Sequence, residues 1–230
     1  MIEFSEVSFS YPNETKALQD INLFIDKGEF VFITGSTGSG KSTLLKLLYR
    51  ENLPQKGEIY INNHDITEIP RYKIPFLRRK LGVIFQDFKL LDYKSVGENV
   101  SFALEVTGHP LDKIPERVDM VLEVVGMKDK KDRLPEEISG GEKQLTSIAR
   151  AIIHNPQILI ADEPTGNLDP TTAENIIGAL DYINSRGTTV IVATHNETLV
   201  KKFMKRVIAL EEGKIVSDKG QAHKIPELVD

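Results

Sequence analysis

Three stretches combine residue types and spacings that can do chemistry. The first is Gly35-Ser36-Thr37-Gly38-Ser39-Gly40-Lys41-Ser42-Thr43, in which Gly35, Gly40, Lys41 and Ser42 fit the G-x-x-x-x-G-K-[ST] phosphate loop. Glycines let backbone N–H groups turn inward around phosphate oxygens, and a helix N-terminus behind them adds a positive field. Lys41 then reaches the β- and γ-phosphates, and the Ser42 hydroxyl suits a Mg²⁺ shell. The second stretch is Asp162-Glu163, two carboxylates closing the apolar run Ile158-Leu159-Ile160-Ala161. Asp162 suits metal coordination, and Glu163 suits polarising a water for attack on a γ-phosphate. The third is Ser139-Gly140-Gly141-Glu142. Ser139 and Glu142 form a capping box, which accounts for both. It does not account for two glycines in a first helical turn, where each weakens the helix by up to ~1 kcal/mol. Open N–H groups there make a second anion site.

These groups need elements to hold them. Phe30–Ile33 reads as a strand feeding the phosphate loop, and a helix runs from Lys41 to about Tyr49. Residues 2–11 and 18–25 alternate as strands, with Pro12-Asn13-Glu14 as turn between them. Further strands are expected at Gly57–Ile61, at Leu81–Phe85, which delivers Gln86 to its end, and at Ile158–Ala161 and Thr189–Ala193. From about residue 87 to 155 the pattern turns helical, at Val96–Val106, Ile114–Val125 and Glu142–Ile153, with Leu145, Ile148, Ala149 and Ile152 forming a buried stripe on the last. A helix follows over Thr171–Asn184, and Val207–Leu210 with Lys214–Val216 closes as a hairpin. Alternating strands and helices predict a largely parallel sheet covered on both faces.

Composition sets limits. The 230 residues are 40% hydrophobic and 27% charged, ordinary for a globular chain. A formal charge of −5 argues against nucleic acid as main partner. No cysteine is present, so disulfides, thiolate metal sites and cysteine nucleophiles are absent, which suits a reducing compartment. His64, His109, His154 and His223 show no ligand spacing, and no transition metal is expected. No apolar run reaches the ~20 residues of a membrane span, and the N-terminus lacks a signal-peptide pattern. The cations Arg71, Lys73, Arg78, Arg79 and Lys80 could face anionic lipid or a partner, but with no amphipathic membrane-helix pattern beside them a solvated basic face is the favoured reading.

The phosphate loop, Ser139-Gly140-Gly141-Glu142, Asp162-Glu163, Gly166-Asn167-Leu168-Asp169 and His195 follow one another in the order found in ABC-type ATPase domains, and the chain resembles that family over roughly residues 2–216. The resemblance implies an α/β fold: a P-loop NTPase core with a mostly parallel sheet, an N-terminal antiparallel β subdomain and a helical insertion. As one domain, residues 1–86 and 156–217 would form the core with the β subdomain, about 87–155 the helical subdomain, and 218–230 a polar tail. It implies Mg²⁺-dependent hydrolysis of ATP in a head-to-tail homodimer, each ATP lying between the phosphate loop of one subunit and Ser139 and Gly141 of the other. Carried over singly, Tyr11 matches the aromatic that stacks on adenine, and Gln86 the glutamine that senses Mg²⁺ and the γ-phosphate beside the membrane partner's docking surface. Asp169 matches the aspartate that communicates across the dimer, and also reads as an N-cap before Pro170. His195 matches the switch histidine that contacts the γ-phosphate.

One departure stands out. The family commonly continues Ser-Gly-Gly-Glu with Gln-Gln-Arg, whereas Lys143-Gln144-Leu145 follows here, which bears on rate and coupling. Pro164-Thr165-Gly166-Asn167-Leu168-Asp169 looks like the branch holding cell-division, lipoprotein-release and macrolide-export ATPases. Residues 47–51, 78–88 and 102–108 look most like the cell-division members. That implies a cytoplasmic protein held on the inner face of the cell membrane by an integral membrane partner, regulating peptidoglycan hydrolases. The alternative is the same ATPase serving a lipoprotein-release or macrolide-type exporter.

Overall fold

The computed structural model describes residues 2–12 and 16–220. Its first sheet is antiparallel and contains Ile2–Ser10 (β1) and Lys16–Ile25 (β2). After Phe30–Thr34 (β3) and the helix Lys41–Leu48 (α1), it is completed by Lys56–Ile61 (β4) and His64–Asp65 (β5), in the order β2-β1-β4-β5. A 3₁₀ turn at Arg71–Lys73 leads into the short helix Ile74–Arg78 (α2) and the strand Leu81–Ile84 (β6). Three helices follow, Val96–Glu105 (α3), Ile114–Val124 (α4) and Gly140–Ile152 (α5). The chain then alternates through Ile158–Asp162 (β7), Pro170–Ser185 (α6), Thr189–Ala193 (β8) and Glu197–Phe203 (α7) to Arg206–Glu211 (β9) and Lys214–Lys219 (β10). The second sheet has the order β10-β9-β3-β8-β7-β6, parallel from β9 to β6, with β10 antiparallel at its edge.

Strand periodicity divides the core. Val31 and Ile33 of β3 point into a cluster with Leu44, Leu45, Leu47 and Leu48 of α1 and the inner face of the first sheet. Phe30 and Phe32 point the other way, onto residues of α3, α4, α5, α6 and α7. β3, β7 and β8 are apolar on both faces because both are covered, as parallel sheets require. The phosphate-loop strand therefore sits in the middle of the molecule, held from both sides.

Most boundaries differ from the sequence expectation by a residue or two, the final strand ends three residues late, and three elements are ones that periodicity does not announce. α2 and α7 are too short to show a helical stripe, and β5 has two residues. The final strand runs to Lys219, past the point where a polar tail was expected to start. Asp218 pairs with Ile208 in the ladder and with Arg206 by charge. The turn expected at Asn13 and Glu14, and residues 221–230 with His223, lie outside the described residues.

Candidate nucleotide site

The phosphate loop, Asp162-Glu163 and His195 converge because β3, β7 and β8 are neighbours whose carboxyl ends face one way. β3 ends in the phosphate loop, β7 in Asp162 and Glu163, and β8 in Thr194 and His195. Backbone bonds lock the junctions: Glu163 N–H donates to Ala193 O at 2.9 Å, and Thr194 N–H to Ile33 O at 3.0 Å. Behind the loop, Gly213 N–H in the β9–β10 turn donates to Ser39 O at 3.0 Å. Gly40 caps α1 at φ 108°, and a Cβ on it would stand 2.5 Å from Ala17 O of β2. The glycine therefore serves the turn and the close approach of β2.

The polar groups form two linked sets. Lys41, buried, donates from Nζ to Gly35 O at 2.8 Å and Ser36 O at 3.0 Å, and lies 3.8 Å from Glu163 Oε1. His195 Nδ1 stands 2.9 Å from the same Glu163 oxygen. Glu163 holds φ 46°, an uncommon conformation for a non-glycine residue and of the kind that collects at functional sites. Its Oε2 is buried with no hydrogen-bond partner, as is Ser39 Oγ in the loop. Unpaired buried oxygens are rare enough to need a reason. In the second set, Ser42 Oγ donates to Asp162 Oδ1 at 3.0 Å. Burial raises the Asp162 carboxyl above the ordinary carboxylate range, against the lowering effect of the Ser42 hydrogen bond and the Lys41 charge. Tyr11 lies beside the loop, its OH 3.2 Å from Thr43 Oγ1, and it lines a hollow of about 240 Å³ with Gly38, Gly40, Lys41 and Ser42.

Other expected residues stand apart. Gln86, at the end of β6, approaches Gly166 to 3.7 Å, measured from its Nε2 to the place a Cβ would take, and makes no hydrogen bond to Ser42 or Asp162. Asp169 caps α6, accepting from Thr172 N–H at 3.0 Å, and hydrogen bonding from the Thr172 side chain, then from its backbone, holds the carboxyl below the usual range. Ser139 caps α5 in a reciprocal box with Glu142, and the backbone N–H of Ser139 holds the Glu142 carboxyl low. Neither Ser139 nor Gly141 bonds to the groups around Lys41 and Glu163. A Cβ at Gly141 would come within 2.5 Å of Thr172 Cγ2, so close packing of α5 on α6 also demands a glycine there. Sequence alone had explained that glycine by ligand approach only.

Two supports were not visible in the sequence. Gly213 reads only as a hairpin glycine. Arg150, on the inner side of α5, donates to Lys89 O at 2.6 Å and Phe88 O at 2.7 Å. It thereby fixes the loop after Gln86, where Phe88 and Lys89 both take positive φ. An arginine inside a helix gives no local sign of the loop it will hold.

Comparison with known proteins agrees with this geometry. Residues 18–166 match the family described as ABC transporter. The cell division ATP-binding protein FtsE of Bacillus subtilis is 52% identical over 96% of this chain and 97% of its own length. The Escherichia coli K12 protein of that name is 42% identical over 93% and 96%. Among solved structures, the dimeric post-hydrolysis state of the ATP-binding cassette MJ0796 bound to ADP and Pi superposes with a TM-score of 0.86 at 32% identity. It covers 97% of this chain and 100% of that one. CbiO1 from Clostridium perfringens, part of the ABC transporter complex cbiONQ, gives 0.89 at 33% identity, covering 95% and 88%. With its phosphate loop, its paired carboxylates and near full-length similarity of this order, the chain belongs to the ABC transporter family as an ATP-binding ATPase of the FtsE group.

Proposed function

We propose that this chain is the ATP-hydrolysing subunit of a cell-division complex, acting with an FtsX-like integral membrane protein on the cytoplasmic face of the membrane. The observation that carries the catalytic part is Glu163: a strained, largely buried carboxylate with one oxygen shared by Lys41 and His195 and the other unpaired. Water attacks the γ-phosphorus, the bond to the β–γ bridging oxygen breaks, and Glu163 takes the water proton as ADP and phosphate form. Lys41 and the loop N–H groups from Gly35 to Thr43 hold the β- and γ-phosphates. His195 steadies Glu163 and contacts the γ-phosphate, while Tyr11 stacks on the base. Ser42 and Asp162 suit a hard divalent cation, being a hydroxyl and a partly buried carboxylate 3.0 Å apart. They would hold Mg²⁺, with Gln86 sensing it, and the ion would supply positive charge against the phosphate oxygens. The helical stretch around α3–α5 forms the subdomain that carries Ser139 and Gly141 to a second copy, so that a homodimer completes each site.

Similarity to FtsE proteins over nearly the whole chain supports the cell-division assignment. Affinity capture of the full chain from its native membranes tests it. Recovery of an FtsX-like protein is expected, and recovery of an export or lipoprotein-release permease in its place would overturn the assignment.

A further inference from the structure

Residues 71–80 hold five Lys or Arg and no carboxylate, within a chain whose formal charge is −5. Charge pattern alone makes this a solvated basic face, but the structure shows something less ordinary. The 3₁₀ turn Arg71–Lys73 is exposed throughout, and α2 buries no residue fully: only Ile74 and Leu77 are half-buried, Leu77 against the core, where a helix on a globular surface normally buries a whole stripe. Tyr72 is 70% exposed and Phe76 58%. Lys73 Nζ lies 5.9 Å from the centre of the Tyr72 ring, and the Arg79 guanidinium 5.2 Å from that of Phe76. Among the described residues, Arg71, Lys73, Arg79 and Lys80 form no ion pair. Arg78 is engaged differently, donating to Tyr49 O at 2.9 Å and Arg50 O at 3.1 Å and so fastening the segment to the end of α1.

We propose that residues 71–80 are a contact surface for the anionic headgroups of a lipid bilayer. Four unpaired cations match the charge of such a surface, and Tyr72 and Phe76 have the amphipathic or apolar rings that settle at headgroup level. The segment is anchored through half-buried Ile74 and Leu77, which leaves Tyr72, Phe76 and the four unpaired cations exposed to meet a flat, deformable charged surface. The net negative charge of the chain makes the contact oriented, because anionic lipid repels much of the remaining surface. Through Arg78 the segment is joined to α1, whose other end carries Lys41 and Ser42. The proposal rests on the membrane-associated reading above, which brings a bilayer within reach, but not on the identity of the membrane protein.

The test is co-sedimentation of the full chain alone with vesicles of phosphatidylglycerol or of phosphatidylcholine. Binding is expected to phosphatidylglycerol only and to weaken in high salt. Each cation near an anionic leaflet contributes roughly fivefold in partition. The R71Q/K73Q/R79Q/K80Q variant should therefore lose more than about 100-fold while keeping ATP turnover as the check on folding. Y72S/F76S should weaken binding with all the charge retained. Equal binding to both lipids, no binding to either, or full binding by the fourfold variant would overturn the proposal. Absence of vesicle binding, with capture of the membrane partner lost in the fourfold variant, would assign the surface to an acidic protein segment instead. Partner capture is measured separately, so failure here leaves the cell-division reading to its own test.

Discussion

Asp162 and Lys41 show how burial and charge set the site's chemistry. Burial raises the Asp162 carboxyl, so the folded protein binds its proton more tightly than the unfolded chain does. The sign follows: stability falls as pH rises from the ordinary carboxylate value, about 3.9, through the raised folded one, and the cost of the charge is complete above it. Asp162→Asn keeps an acceptor for Ser42 and removes that cost. Its Tm at neutral pH, by differential scanning calorimetry without nucleotide, should rise by about 2–4 °C, and the gain should vanish near pH 4. The same variant should lose the added stabilisation that Mg²⁺ gives over ATP alone. A Tm gain that persists unchanged at low pH would refute the electrostatic account. Lys41 is buried and its ammonium serves two loop carbonyls. Lys41→Ala should weaken ATP binding by roughly 10- to 100-fold, the worth of a charge-assisted hydrogen bond, measured by titration calorimetry. Unchanged affinity would remove Lys41 from phosphate binding.

At the level of elements, the sheet that aims these residues has a visible clamp. Arg206, on β9, meets both oxygens of Glu29 just before β3 at 2.9 and 3.1 Å, and both oxygens of Asp218 on β10 at 2.9 and 2.7 Å. The Arg206 and Glu29 side chains are 9% and 11% exposed, so deleting one leaves the other charge buried without its partner. Arg206→Ala should cost about 3 kcal/mol and lower Tm by roughly 6–12 °C, with turnover per folded molecule little changed. A shift under a degree would show the clamp to be ornamental. Contacts of this kind also mark how far a single sequence can be read. The phosphate loop and Asp162-Glu163 could be read from the sequence because each sits where a short apolar strand ends, a local pattern, whereas His195 came only from the family resemblance. That the sheet is covered on both faces was legible from the alternation of strands with helices. Arg206 with Glu29, Arg150 with the 88–89 carbonyls, and Gly141 against Thr172 join residues from 31 to 177 positions apart and have no local signature. Gly141 is the instructive case, since a glycine that looked open to ligand alone is also needed for helix packing. α2 was missed because five residues are too few to show a periodic stripe.

For the whole molecule, the site is split. Lys41, Ser42, Asp162, Glu163 and His195 gather at the ends of three adjacent strands, while Ser139 and Gly141 open a helix that makes no bond to them. The head-to-tail pairing proposed above would bring the two faces together, each copy completing the other's site. In that proposal ATP is the adhesive, and hydrolysis the release that an attached membrane protein would feel. Glu163→Gln isolates this claim because it preserves size and the contacts that bind nucleotide while removing the proton acceptor. It should lower kcat by about 10²–10⁴-fold and leave the ATP-bound pair unable to part. The direct measurement is sedimentation velocity of Glu163→Gln at high protein concentration, with and without Mg²⁺ and ATP. Monomer without nucleotide and dimer at saturating ATP is the predicted result; monomer throughout, with ATP shown to be bound, would contradict it.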